Sequence, residues 1–117
     1  RADGRVLVYG TMGGEGQPQT QAAIFSRHVM HGMDLQAAVD APRWLLGRTW
    51  GARSTTLKLE DDFPVALGEA LAAAGHALEW VPAANAMMGH AGAVSVHASG
   101  LIEGATDPRA DGVCAAV

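Results

Sequence analysis

One stretch constrains this chain more than any other: Gly10-Thr11-Met12-Gly13-Gly14-Glu15-Gly16-Gln17-Pro18-Gln19. Four glycines fall within seven residues there. Such a density means that the backbone turns tightly or that something approaches it closely. The apolar run Val6 to Tyr9 leads in and reads as a short buried strand, entered by the polar turn Ala2-Asp3-Gly4-Arg5. Pro18 suits the first turn of a helix, where its missing N–H costs nothing. A glycine turn between a strand and a helix exposes backbone N–H groups that can hold an anion. The same spacing also serves a tight turn with no chemistry, and spacing alone leaves both readings open.

The helix predicted after the turn runs from about Gln19 to His31, with Ala22, Phe25, Val29 and Met33 on its apolar stripe and Arg27 and His28 off it. Gly32 ends it. Asp34 caps a second helix, Leu35 to Ala41, which Pro42 stops. A less regular segment from Pro42-Arg43-Trp44 reaches about Arg53. Thr55 to Glu60 alternates as a strand. Asp61 or Asp62 then caps a third helix that buries Phe63, Leu67, Leu71 and Ala74 and ends at Gly75. His76 to Val81 alternates, with His76, Leu78 and Trp80 on one side. Pro82 to Gly92 reads as a loop. Ala93 to His97 and Leu101 to Ala105 flank the hairpin signal Ala98-Ser99-Gly100, and the tail from Thr106 to Val117 is turn-rich. This order predicts an α+β fold rather than regular βαβ alternation.

Bulk properties exclude several functions. The chain has 117 residues, enough for one domain with a real core. Net charge is −4 with no basic stripe, so nucleic-acid binding is not expected. No apolar run is long enough to span a bilayer, and no signal-peptide pattern stands at the start. The single Cys114 cannot form an internal disulfide, which leaves the compartment, cytoplasmic or periplasmic, unassigned. A start without Met, a few residues before a strand, suggests a piece of a longer chain.

Candidate chemistry is sparse. Gly14-Glu15-Gly16 begins a dinucleotide fingerprint, but Gln19 stands where its last glycine belongs. Gln17-Pro18 replaces the Lys and Ser or Thr of a phosphate-binding loop. His28, His31, His76, His90 and His97 show no metal-ligand spacing and no cysteine pairs accompany them, so no metal site is expected. Ser26 lies mid-helix without a nucleophile elbow. Cys114 has no evident base, and Thr55 and Thr56 suit a strand for packing alone. The remaining candidates are the N–H groups near Gly13 and Gly14, placed to meet a developing oxyanion.

Several motifs together carry a resemblance. The stretch from Gly10 to Gln19 resembles the glycine-pair motif of the gamma-glutamyltranspeptidase family. His31-Gly32-Met33-Asp34 with Ala37 to Arg43, then Leu59-Glu60, Phe63-Pro64, Leu67, Leu71 and Gly75-His76, are similar to its next blocks. Met88 to Ala93 and Gly104 to Gly112 are similar to its C-terminal blocks, in the family's order and over nearly the whole chain. The resemblance implies part of an αββα N-terminal nucleophile hydrolase sandwich, with residues 1–117 as one domain from the C-terminal portion of the small subunit. It implies a precursor that cleaves itself, freeing a threonine that attacks a gamma-glutamyl, glutathione-like amide with its own α-amine as base. No cofactor or metal is needed.

Of the family's catalytic positions only Gly13 and Gly14 fall within this chain, as oxyanion-hole donors. The nucleophile threonine lies upstream, so the isolated chain is expected to be inactive. Expected partners are a small amide substrate, the large subunit and the rest of the small subunit; an open sheet edge could also pair with a second copy. Met12 stands where classical transpeptidases carry Pro, and Glu15 where they carry Ser. Gly16-Gln17-Pro18-Gln19 looks more like the family's divergent bacterial amidohydrolases and acylases. Hydrolysis of another small amide, or a structural module that has lost its site, are the alternatives.

Overall fold

The computed structural model describes residues 3–49, 51 and 53–115. Strand β1 (Val6–Met12) leads through a single 3-10 turn (Gly14–Gly16) into helix α1 (Gln17–Phe25), which continues into a π-helical turn (Ser26–Met30). Helix α2 (Leu35–Asp40), β2 (Trp44–Leu46), β3 (Leu57–Glu60), α3 (Val65–Ala73) and β4 (Leu78–Val81) follow. A second 3-10 turn (Ala86–Met88), β5 (His90–Val96) and β6 (Ile102–Thr106) complete the order.

The strands form two three-stranded sheets. One is antiparallel in the order β1-β5-β6, with Val6 opposite Val96 and Met12 opposite His90. The other has the order β2-β3-β4; β2 runs antiparallel to β3, and α3 carries the chain across so that β4 joins β3 in parallel. The expected α+β fold is observed, with one βαβ crossover inside it.

Helices α1 and α2 cover the inner face of the first sheet. Ile24, Leu35 and Val39 pack on Ala91, Ala93 and Ala105, with Leu7 and Tyr9 at the margin. Alanines on the strands let the helices sit close. The outer face is just as apolar but open: Val8 is 67% and Ile102 68% exposed, beside Val6, Val94 and Val96. An apolar sheet face of this kind is completed by a second layer. One helix layer and one sheet are thus two of the four layers of the expected sandwich. Strand β1 is an edge of its sheet.

Several boundaries differ from expectation, for reasons that lie in long-range pairing. Strand β1 runs past Tyr9 to Met12, and β5 starts at His90 rather than Ala93, because the two pair along their whole lengths. Gly10 is therefore strand, and the turn begins at Gly13. The α1 stripe is rotated: Thr20, Ala23, Ile24 and His28 are buried, whereas Phe25 and Met33 are 41% and 39% exposed. His28 lies four residues beyond Ile24 and eight beyond Thr20, on the same buried face of the helix. Phe25 instead stacks on Tyr9 at the rim, ring centroids 6.4 Å apart.

Trp44–Leu46, expected to be irregular, is a strand that Gln19 ties to α1: Leu46 N–H donates to the Gln19 carbonyl (2.8 Å) and the Gln19 amide to the Leu46 carbonyl (3.0 Å). Asp34 caps α2 as expected, accepting from Ala37 N–H at 3.1 Å. Neither Asp61 nor Asp62 caps α3; Pro64 holds that position, and Asp61 accepts from Ala83 N–H at 2.8 Å. The expected buried face of α3 is open. Only Gly68 of the helix is buried, against Trp80, while Phe63, Leu67 and Leu71 line a groove of about 590 Å³ with Trp44, Leu57 and Leu59.

Candidate functional site

The site begins where β1 and β5 end together. Beyond the Met12–His90 pair the chain crosses over itself, Gly13 against Gly89. A methyl group on Gly13 would lie 3.0 Å from the Gly89 Cα, and one on Gly89 would collide with the Met12 carbonyl oxygen. Gly14 and Gly89 also hold φ of +53° and +82°, a region that costs any other residue free energy. The glycine requirement at this crossing is thus steric as well as conformational.

Within the turn, Gly16 N–H donates to the Gly13 carbonyl (3.0 Å) and Gln17 N–H to the Gly14 carbonyl. The N–H groups of Gly13 and Gly14 donate to no acceptor among the described residues. They stand just ahead of α1, whose amino end adds a positive dipole. Gly13 is buried and Gly14 exposed. Two fixed N–H groups at a helix start, one sheltered, have the chemistry to stabilise a negatively charged oxygen.

Both sides of the turn are braced. Thr20 Oγ1 donates to the Met88 carbonyl at 2.9 Å, and Gly16 fits against Leu45 and Thr49. Glu15, on the rim, meets Arg48 at 3.2 and 3.3 Å, with side chains 62% and 38% exposed. An exposed pair like this contributes at most about 1 kcal/mol.

Behind Gly89 lies a group of buried charges: Arg43, Glu60, Asp107 and Arg109. Arg43 follows α2, Glu60 ends β3, and the two others sit in the turn after β6. Arg43 Nη1 is 2.6 Å from Asp107 and donates to the Gly89 carbonyl at 3.0 Å; Nη2 donates to the Val39 carbonyl at 2.9 Å. Arg109 bridges Asp107 (3.1 Å) and Glu60, where Nε to Oε1 is 2.7 Å and Nη2 contacts Oε2. Glu60 also accepts from the N–H groups of Arg43 (2.7 Å) and Asn85 (2.9 Å), and Asp107 from those of Ala91 (2.6 Å) and Arg109 (3.0 Å). Two guanidinium and two carboxylate groups leave no net charge, the condition under which such burial is tolerable.

The protonation of these groups follows their surroundings. Burial opposes the Asp107 carboxylate, but the Ala91 N–H and the Arg43 charge outweigh it and hold its pKa below the usual range. Burial likewise opposes the Arg109 cation; its bonds and charge pairing with Glu60 prevail and raise its pKa. Arg43 is lowered, by burial and then by Arg109 beside it. Arg27, lowered by burial and by the same two cations, donates to the carbonyls of Ala41 (3.2 Å) and Pro42 at the carboxyl end of α2 and stacks on Trp44. A cation there complements the helix dipole.

The other candidates take structural places. His28 Nδ1 meets the Met33 carbonyl (2.8 Å), His97 meets Glu103 (2.9 Å), and His31 and His76 are exposed. His90 borders Gly89 with its Nε2 buried and unpartnered among the described residues. No three His, Cys, Asp or Glu side chains among the described residues converge as a metal group. Ser26 Oγ donates to the Ala23 carbonyl, Thr56 Oγ1 accepts from Lys58, and Cys114 is exposed with its Sγ over Gly104. No described helix is long and apolar enough to cross a membrane. The buried charges carried no assigned role in the sequence, although all four lie in motif blocks; that shared placement was the available signal.

Comparison with known proteins then decides the family. The gamma-glutamyltranspeptidase signature matches residues 1–117, the whole chain. The chain belongs to the gamma-glutamyltranspeptidase family. It is 55% identical over 113 residues to the oxamate amidohydrolase proenzyme of Klebsiella pneumoniae, covering 97% of this chain and 21% of that protein. A glutathione hydrolase-like proenzyme of Bacillus subtilis is 42% identical over 111 residues, covering 95% and 21%. Cephalosporin acylase from Bacillus halodurans superposes with a TM-score of 0.75 at 32% identity, over 88% of this chain and 18% of that one. This family chain therefore has the fold of an N-terminal nucleophile hydrolase segment, and it spans about a fifth of the curated relatives that it matches.

Proposed function

We propose that this chain is the C-terminal portion of the small subunit of a self-processing amidohydrolase, and that the Gly13 and Gly14 N–H groups form its oxyanion hole. The observation that carries the reading is the pair of N–H groups without an acceptor among the described residues, held by a glycine crossing that admits no side chain. In this reaction a threonine outside this chain adds its hydroxyl oxygen to the amide carbonyl. Its own α-amine takes the hydroxyl proton. The carbonyl electrons move onto oxygen, where the two N–H groups meet the charge. Collapse breaks the C–N bond, and the amine leaves with the proton from the α-ammonium. Water, or an acceptor amine in a transferase, then attacks the acyl-threonine and restores the hydroxyl.

Donors fixed before the charge develops lower the barrier without reorganising, each by roughly 3–4 kcal/mol. The substrate is a small amide. Similarity to a protein named for oxamate favours a short carboxylate-bearing amide, and similarity to one named glutathione hydrolase-like supports a gamma-glutamyl amide as the second reading. Partners are the remainder of the small subunit and the large subunit, which would cover the open outer face of the first sheet. The isolated chain, lacking the nucleophile, is inactive in this reading.

The test uses the full-length protein. Its mass spectrum should show two subunits, the smaller beginning with threonine and containing this chain. Ammonia release from oxamate and anilide release from a gamma-glutamyl anilide, measured side by side, then choose the substrate. An uncleaved polypeptide inactive on both, or activity of this chain alone, would defeat the proposal.

A further inference from the structure

We propose that Arg43 is a positioning residue that sets the place of the Gly13–Gly14 turn through the backbone of Gly89; its consequence for catalysis rests on the oxyanion reading above. The buried Arg43–Asp107 pair grips β5 at its first residues from one side. Arg43 Nη1 donates to the Gly89 carbonyl at 3.0 Å, and Asp107 Oδ2, 2.6 Å from that same nitrogen, accepts the Ala91 N–H at 2.6 Å. The peptides on either side of His90 are thereby fixed to one ion pair whose side chains are 1% exposed.

Gly89 passes that placement on. It lies in contact with Gly13, at the last rung of the β1–β5 ladder. The braces of the turn hold Thr20, Gly16 and Glu15 rather than Gly13 itself. The Gly13 carbonyl is bonded only inside the turn, to Gly16 N–H, and the Gly13 N–H to no described acceptor. The backbone of Gly89 is thus the wall against which Gly13 rests, and Arg43 holds the wall. A guanidinium suits this task, because its planar fork reaches Gly89, Val39 and Asp107 in one fixed geometry. Lysine would keep the charge beside Asp107 but could not hold the three acceptors in that plane.

A displacement of about 1 Å in a group that meets the transition state costs on the order of a hundredfold in rate. Arg43→Lys in the full-length protein should therefore lower kcat by roughly 30- to 100-fold with KM little changed. Amide hydrogen exchange should quicken in peptides covering residues 10–20 and 86–92 and not in β3 or β4. Gly68→Ala, which perturbs α3 against Trp80 and no contact of Gly13 or Gly89, is the control for general destabilisation and should leave both exchange segments as in the parent. The exchange measurement needs no turnover, so it reads the variant even if the precursor stays uncleaved. If Arg43→Lys does not fold, Arg43→Met combined with Asp107→Asn removes both charges together and takes its place.

Unchanged exchange in both segments of the folded variant overturns the proposal. Faster exchange with undiminished kcat upholds the link from Arg43 to the turn and sinks the oxyanion reading instead.

Discussion

Replacing Glu60 by glutamine removes one oxygen and one charge from the centre of the buried ionic group, and its cost can be worked from the contacts. Oε1 accepts from Asn85 N–H (2.9 Å) and Arg109 Nε (2.7 Å), and Oε2 from Arg43 N–H (2.7 Å) and Arg109 Nη2. Whichever way the new amide turns, its NH₂ faces two N–H donors. Arg109 is then left to share Asp107 with Arg43. Removing one partner of a buried ion pair costs about 3–5 kcal/mol, and two lost hydrogen bonds to a charged group give a similar figure at about 1.5–3 kcal/mol each. Glu15→Gln deletes the same charge from the exposed pair with Arg48 and should cost below about 1 kcal/mol. Urea unfolding of the intact protein followed by tryptophan emission suits the comparison, since Trp44 and Trp80 both lie opposite Leu59 on β3. Whatever the slope of the intact protein, Glu60→Gln should move the midpoint at least about three times as far as Glu15→Gln, as about 3–5 against less than about 1 kcal/mol requires. Equal shifts for the two variants would refute the reasoning.

Two further outcomes follow from the same contacts. Asp107 has a folded-state pKa below its ordinary value, so its stabilisation is complete above the unfolded value near pH 4 and is lost as pH falls through the folded one. Asp107→Asn should therefore be less stable than the parent at pH 7 by a margin that shrinks below about pH 4; a margin constant down to acid unfolding would contradict this. In Gly68→Ala the new methyl meets the Trp80 ring, and overpacking of this kind costs about 1–3 kcal/mol. Trp80 is already 42% exposed and should swing outward, shifting tryptophan emission to the red, whereas an unshifted spectrum would show that the helix moved instead.

What the sequence made legible was local. The α2 cap at Asp34, the helix end at Gly32 and the hairpin at Ser99-Gly100 each rest on chemistry within a few residues, and each is found in place. The extension of β1 to Met12 rests on pairing with residues near His90, which no local pattern shows. β2 rests on its pairing with β3 and on the bonds of Leu46 to Gln19, 27 residues away. The α1 stripe differs from expectation because Ala22 and Phe25 are no more apolar than Ala23 and Ile24, so the local pattern does not choose between the two faces; contact with Ala91, Ala93 and Ala105 does. The open face of α3 has a different cause: its pattern is that of a buried helix, but nothing among the described residues covers it.

The site divided in the same way. Glycine density and the family resemblance marked Gly13 and Gly14. Gly89, which makes the crossing, stood in the expected loop Pro82 to Gly92 and in a family block, with no role assigned to it. Arg43, Glu60, Asp107 and Arg109 lay in motif blocks with no role assigned to them, because the sequence separations of 17 and 49 residues across their bonds hide the partnership that lets them be buried.

The oxyanion role of the turn is tested most directly by replacing single N–H groups rather than side chains. Semisynthesis of the small subunit with glycolic acid at position 13 or 14 exchanges one backbone N–H for an ester oxygen and leaves the glycine conformation intact. Each ester should lower kcat on the hydrolysed amide by about 10²–10³-fold with KM and folding little changed. If both ester proteins turn over within about threefold of the all-amide enzyme, against that expected loss of one donor, the turn is only a turn.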